Sequence, residues 1–183
     1  EIVQEMAGVD LGFLLDEVPA SIRETLQGIN RVVKIVAAMK EFSHPGSNEK
    51  MLTDLNHSIE STLIVCRNEW KYVAETVTDL AADLPLVPCF SDQLHQAMVN
   101  LVINAAHAIQ ARKAVDPEIS GRITVSTRAE GDWVEIRIGD NGSGIPEVIR
   151  SRIFEPFFTT KEMGKGTGQG LAIVYEVVVN KHG

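Results

Sequence analysis

An α+β two-layer sandwich, a mixed sheet with about three helices preceded by a long helix, is the fold class predicted by this 183-residue chain. Three observations predict it. Apolar residues recur at threes and fours within 1–43, 56–70 and 91–113 and again from Gly170, the period of a helix with one buried side. Ile123, Val125 and Thr127 alternate with Thr124, Ser126 and Arg128, and Val134, Ile136 and Ile138 repeat the same period of two, as strands do. From Gly139 to Leu171 runs a long irregular stretch rich in Gly and Pro, and such a loop inside a compact domain is usually a lid or a binding loop.

The chain divides into a helical segment at 1–44, a linker at 45–50 and a domain at 51–183. In the first, Ile22, Leu26, Ile29, Val32, Val33, Val36 and Met39 form an apolar stripe opposite Arg23, Glu24, Arg31, Lys34 and Lys40, and Pro19 suits a first helical turn or a kink. At about 1.5–3 kcal/mol for each buried aliphatic, the stripe favours a bundle with another helix or another chain. Docking on the downstream domain is the other arrangement. Phe42-Ser-His-Pro-Gly-Ser-Asn ends the helix and leaves His44 as a solvated histidine in the linker.

Residues 51–55 predict a short strand, and 56–70 a helix capped by Asn56 with Ile59, Leu63 and Cys66 on its buried side. A second strand follows at 72–77, then an extended connection at 84–88. The helix at 91–113 ends before Asp116-Pro117, and Glu130-Gly131-Asp132 turns the next strand into the one that runs from Trp133 to Asp140. The lysine-bearing phosphate loop of doubly wound nucleotide-binding proteins is absent.

Asp140 ends its strand on the face of Val134, Ile136 and Ile138, which points it inward. A buried carboxylate without donors is costly, so it needs a partner such as the amino group of adenine. Gly142 and Gly144 clear side chains where backbone passes close to a flat ligand or takes positive φ. The second glycine cluster, at 164–171, leads into a helix whose free N–H groups and roughly half a positive charge favour phosphate. In the 91–113 helix, Gln96, Asn100, Asn104 and His107 break an otherwise apolar pattern at offsets of four, four and three, so they share one narrow stripe. They are either polar core residues satisfied by backbone or neutral ligands beside a hydrated Mg²⁺, which accepts few protein ligands.

Asn100-Leu-Val-Ile-Asn104-Ala, Asp140-x-Gly-x-Gly, Phe154-x-x-Phe157-Phe158 and Gly164-x-Gly-Thr-Gly-x-Gly-Leu, in this order and spacing, resemble the N, G1, F and G2 boxes of sensor histidine kinases. The resemblance covers roughly residues 51–183 and implies the Bergerat-type ATP-binding fold. It implies Mg²⁺ on Asn104, the adenine amino group on Asp140 beside Gly142 and Gly144, and Ile145 under the base. Asn100, His107, Lys161, Lys165 and the backbone of 164–170, with Gly166, Thr167, Gly168, Gly170 and the following Leu171, would surround the triphosphate. It also implies that 1–44 carries the second helix of a dimerising four-helix bundle, hence a homodimer through that helix, and that the phosphoryl group passes on to a response-regulator receiver domain.

Asn100 stands where the related gyrase, chaperone and mismatch-repair ATPases hold a Glu that activates water. An amide cannot act as a general base, so catalysis at this site would consist of positioning and charge neutralisation for transfer of the γ-phosphoryl group of ATP to a histidine. In the family that histidine is followed by Glu or Asp, whereas His44, His57, His95, His107 and His182 are followed by Pro, Ser, Gln, Ala and Gly. The acceptor helix is therefore expected upstream of Glu1, and this piece alone is not expected to phosphorylate itself. Lys161 follows the aromatic segment where many members carry Arg, and offers less directional hydrogen bonding to phosphate. One or two further strands are expected beyond Gly183. Two other classes share these residues: an ATP hydrolase or serine kinase of the same fold, and a non-catalytic dimerisation and docking module.

The net charge of −8 argues against a general nucleic-acid binder, which needs clustered Lys and Arg. Cys66 and Cys89 lack metal-ligand spacing and read as packing thiols of a reducing compartment. No apolar run reaches transmembrane length, so no direct membrane contact and a cytoplasmic location are expected, anchoring of a longer parent chain being a separate matter.

Overall fold

A computed structural model describes residues 15, 17–26, 28–29, 49–161 and 167–183. The chain falls into two units, Glu1–Ala37 and Ala38–Gly183. In the first, residues 17–26 are helical with Pro19 inside them, and Ile22, Leu26 and Ile29 are exposed. Val32, Val33, Val36, Met39, His44 and most of the expected linker lie outside the described residues.

The second unit opens with β1 (Met51–Thr53), which pairs antiparallel with β3 (Val87–Cys89) in a sheet of two strands. The stretch expected as a plain connection at 84–88 thus ends in a strand. Pro88 is tolerated there because this small sheet has only edges. Helix α1 (Leu55–Val65) is capped by Asp54, whose side chain accepts from the His57 N–H at 3.0 Å. This corrects the expectation of an Asn56 cap and of one helix to residue 70: the chain turns at buried Cys66 and resumes as α2 (Arg67–Trp70).

The main sheet has the order β2-β4-β5. β2 (Glu75–Asp79) lies parallel to β4 (Arg122–Glu130), and β4 is antiparallel to β5 (Trp133–Asp140) across the turn at Gly131, whose φ is +60°. β2 begins three residues later than expected, because its register is fixed by β4, with Thr76 opposite Ile123, and not by its own weak alternation. Ile123, Val125 and Thr127 are at most 1% exposed while Arg122, Thr124 and Arg128 face out, so helices cover one face only.

Covering that face is α3 (Ser91–Val115), which presses Val102, Ala106 and Ile109 onto Ile123 and Val125, with Ile59 and Leu63 of α1 completing the core. A smaller cluster joins Ala97 of α3 to Val174 and Val177. These belong to α4 (Gly170–Tyr175) and to the π-helical turn Glu176–Lys181 that continues it. His182 ties this end back: the Phe90 N–H donates to its Nε2 at 3.1 Å, and its Nδ1 is 2.7 Å from the Val177 carbonyl.

A closed polar ring joins the layers. Thr127 Oγ1 donates to Asn56 Oδ1 at 2.9 Å and accepts from the Ala81 N–H at 2.9 Å, while Asn56 Nδ2 donates to the Ala81 carbonyl at 2.8 Å. Asn56 is thus a cross-layer tie. Thr127→Val leaves a buried donor and acceptor unpaired, at a cost of about 1–3 kcal/mol. Urea unfolding should show a lower midpoint with an unchanged slope.

Candidate functional site

Helix α3 has two working sides. Its apolar side is held by the core, and a polar row emerges along the flank where the loops after β5 and before α4 converge. Asn100, Asn104 and His107 lie partly buried on that row, whereas Gln96 is exposed and lines a separate open depression of about 420 Å³ with Phe157, Ile173 and Lys181. Gln96 therefore does not join the other three.

The loop after β5 is pressed directly onto the helix. A Cβ on Gly142 would lie 2.4 Å from the Ala108 carbonyl carbon and 2.6 Å from the Ile109 nitrogen, so only glycine fits. Beside it, the Ser143 N–H donates to the Ala108 carbonyl at 3.0 Å. Gly144 takes φ +70° in open space, which an L side chain would strain.

Asp140 pairs across the ladder with fully buried Ile123, so it does share the inner face of the sheet. Its side chain is nevertheless exposed, which corrects the expectation of a buried carboxylate: Asp140 is the last residue of β5, an edge strand of the sheet. Oδ1 accepts the Gly142 N–H at 2.8 Å, which aims the group from the strand end. Ile145, expected under a base, is 44% exposed in the same loop.

Across the row, Gly170 at the start of α4 abuts Asn100, where a Cβ would meet its Cγ and Oδ1 at 3.5 Å. Asn100 Nδ2 is buried and has no hydrogen-bond partner among the described residues. An orphaned buried amide is costly, so this atom is open to an acceptor that the described residues do not supply. Leu171 is partly buried behind it. Phe157 has φ +68°, and its N–H donates to the Gly168 carbonyl at 2.9 Å. Gly168, at φ +65°, could carry no side chain there, since a Cβ would lie 2.4 Å from the Phe157 carbonyl carbon. The Thr167 hydroxyl accepts the Gln169 N–H at 3.4 Å, whereas Lys165 and Gly166 fall outside the described residues.

Lys161 Nζ lies 2.6 Å from His107 Nδ1. Burial pushes the His107 imidazole below its ordinary value, and the Lys161 charge pushes it further, against a smaller opposing pull from Glu69. Burial likewise lowers Lys161. Two basic groups meet here, and among the described residues no carboxylate forms an ion pair with either.

The donor set also suits a divalent ion that phosphates help to hold. Asn100 and Asn104 offer neutral carboxamide oxygens, and among the described residues no three His, Cys, Asp or Glu gather as an all-protein metal cage. Reasoning from sequence missed Arg112 and Asn141, which fasten the Asp140 loop. The Arg112 Nη1 donates to the Asn141 carbonyl at 2.9 Å. The signal was present, since Arg112 stands eight residues beyond Asn104 on one four-residue row.

Residues 90–183 match the family described as histidine kinase-, DNA gyrase B- and HSP90-like ATPase. The chain belongs to this family. The matched domain is an ATPase domain, and the matched residues hold both glycine loops and the asparagine row. Among relatives, the two-component sensor PprA of Pseudomonas aeruginosa is 33% identical over 154 residues, covering 84% of this chain and 17% of its own length. The signal transduction histidine-protein kinase AtoS of Escherichia coli is 32% identical over 159 residues, covering 86% and 24%. The chain thus spans about a quarter or less of these relatives. The solved catalytic domain of the histidine kinase ThkA superposes with a TM-score of 0.58 at 26% identity, over 72% of this chain and 81% of that one. A structure of ThkA in complex with the response regulator TrrA covers all of this chain and 49% of its own, with a TM-score of 0.57 at 22% identity.

Two outcomes are expected. Gly142→Ala should detach the loop from α3 and lower stability by about 1–3 kcal/mol, read by calorimetry. For His107 the folded value is depressed, so the unfolded chain binds the proton first as pH falls through the ordinary 6.5. Stability is therefore lost below that value, and His107→Gln should flatten this part of the melting-temperature profile.

Proposed function

We propose that this chain is the ATP-binding catalytic part of a sensor histidine kinase, which transfers the γ-phosphoryl group of ATP to a histidine on a helix outside residues 1–183. The observations that support the proposal are an aimed carboxylate, Asp140, at the end of β5 and, on α3, the orphaned Asn100 amide with the Lys161–His107 pair. A purine amino group satisfies the first and a triphosphate the second. Asn100, Asn104, His107, Lys161, Lys165 and the glycine loop at 166–170 surround the phosphates in this reading, and Gly142, Gly144 and Ile145 border the base.

Mg²⁺ would be held by Asn104 together with phosphate oxygens and water, and would supply charge neutralisation. The chain's own residues orient the γ-phosphoryl group; the Asn100 carboxamide cannot take up a proton, so it does not activate water. Lys161 and the α4 backbone stabilise charge that spreads over the transferring group. The exposed stripe at Ile22, Leu26 and Ile29 supports a homodimer through the helical segment within 1–44, with the ATP-binding domain at 51–183. The complex of the fold relative supports a response-regulator receiver domain as the next acceptor. Among the described residues no helix is long and apolar enough to cross a membrane.

The test is labelled ATP, marked at the γ position, added to the chain extended upstream through the acceptor helix. Label should appear on histidine, Asn104→Ala and Asp140→Asn should each abolish it, and either should weaken ATP binding by about tenfold or more. Steady phosphate release without histidine labelling would favour a hydrolase and sink the proposal.

A further inference from the structure

The four-residue spacing on α3 runs on past the two asparagines. Asn100, Asn104, Ala108 and Arg112 occupy one row, each about 6 Å further along the helix at 1.5 Å per residue. The third member seats the loop, through the Ser143 N–H on the Ala108 carbonyl. The fourth reaches its root, through the Arg112 guanidinium on the Asn141 carbonyl.

Asn141 is saturated. Its Nδ2 donates to the Ser120 carbonyl at 2.8 Å, its Oδ1 accepts the Arg122 N–H at 2.7 Å, and its own N–H donates to the Arg122 carbonyl at 3.2 Å. With the Arg112 bond, every polar group it owns is engaged, and the partners come from α3 and from the entry to β4. That entry is itself closely packed, since a Cβ on Gly121 would lie 2.1 Å from the Val73 carbonyl oxygen and 2.5 Å from Ile109 Cγ2. None of these bonds involves the Asp140 side chain, yet they clamp the residue after it, and Gly142 one step further holds Asp140 Oδ1.

We propose that Asn141 and Arg112 are positioning residues that hold the Asp140 carboxylate at a set distance and direction from the Asn104 row, and so make the site demand a purine with a 6-amino group. The proposal rests on reading Asp140 as the adenine acceptor. An exposed carboxylate that swings freely pairs with water as readily as with a ligand, and selectivity requires that its direction be set before binding. Asn141 is suited to this because a carboxamide meets a carbonyl and an N–H at once from two separate atoms, Nδ2 and Oδ1. Aspartate would face the Ser120 carbonyl with a lone pair.

The test is a cycle of titrations, with ATP and inosine triphosphate, in the presence of Mg²⁺, on the 183-residue chain and on Asn141→Ala, Arg112→Met and Arg112→Lys. The unaltered chain should prefer ATP by about tenfold or more, the value of one hydrogen bond to a charged group. Asn141→Ala and Arg112→Met should shrink the preference several-fold, chiefly by weakening ATP, and Arg112→Lys should restore most of it. Equal weakening of both nucleotides with the preference intact would overturn the proposal and leave the pair a structural role. If Asn141→Ala does not fold, Arg112→Met decides alone, because Arg112 is exposed. Equal binding of the two nucleotides by the unaltered chain would instead remove the reading of Asp140, and this inference with it.

Discussion

Contact between the Gly142 backbone and the Ala108–Ile109 peptide is the constraint on which the site depends. Ile109 is fully buried against the sheet, so a residue next to the core also forms the seat of a surface loop. The loop's position is then inherited from the packing of Val102, Ala106 and Ile109 on Ile123 and Val125. Sites built on regular elements are more precise than sites carried by loops alone. Here the loop borrows its precision from the helix.

Charge is divided in a way the net value conceals. Glu75 and Asp79 on β2 and Glu135 on β5 meet Arg122, Arg128 and Arg137 in exposed pairs along the sheet, where such pairs contribute little to stability. The flank of α3 bears carboxamides and the Lys161–His107 contact. A chain of net charge −8 therefore carries a local pair of basic groups on this flank.

Much of this was legible because it is written locally. Glycine at 142, 144 and 168 answers to immediate steric or backbone needs, and the asparagine offsets on α3 follow from helical period alone. What could not be read depends on partners far along the chain. Asp54 and Asn56 are both residues that cap helices, and only the distant hydroxyl of Thr127 explains why Asn56 is used elsewhere. β3 owes its existence to β1, thirty-odd residues earlier, and Pro88 argued against it. The exposure of Asp140 follows from its place at the end of an edge strand, which strand alternation does not encode. Lys165 and Gly166 fall outside the described residues, and the domain limits read from composition stand beside a division at Ala37 and Ala38.

Phe157 occupies a left-handed backbone conformation that disfavours any residue with a Cβ, by about 1–3 kcal/mol. Its N–H is bonded to Gly168, which is itself left-handed and too close to Phe157 to carry a side chain. Neither residue would hold such a geometry without the other. The aromatic segment and the glycine turn before α4 are consequently one mechanical part: a ligand that grips the turn also fixes the angle at which an aromatic ring, 71% exposed, is offered outward.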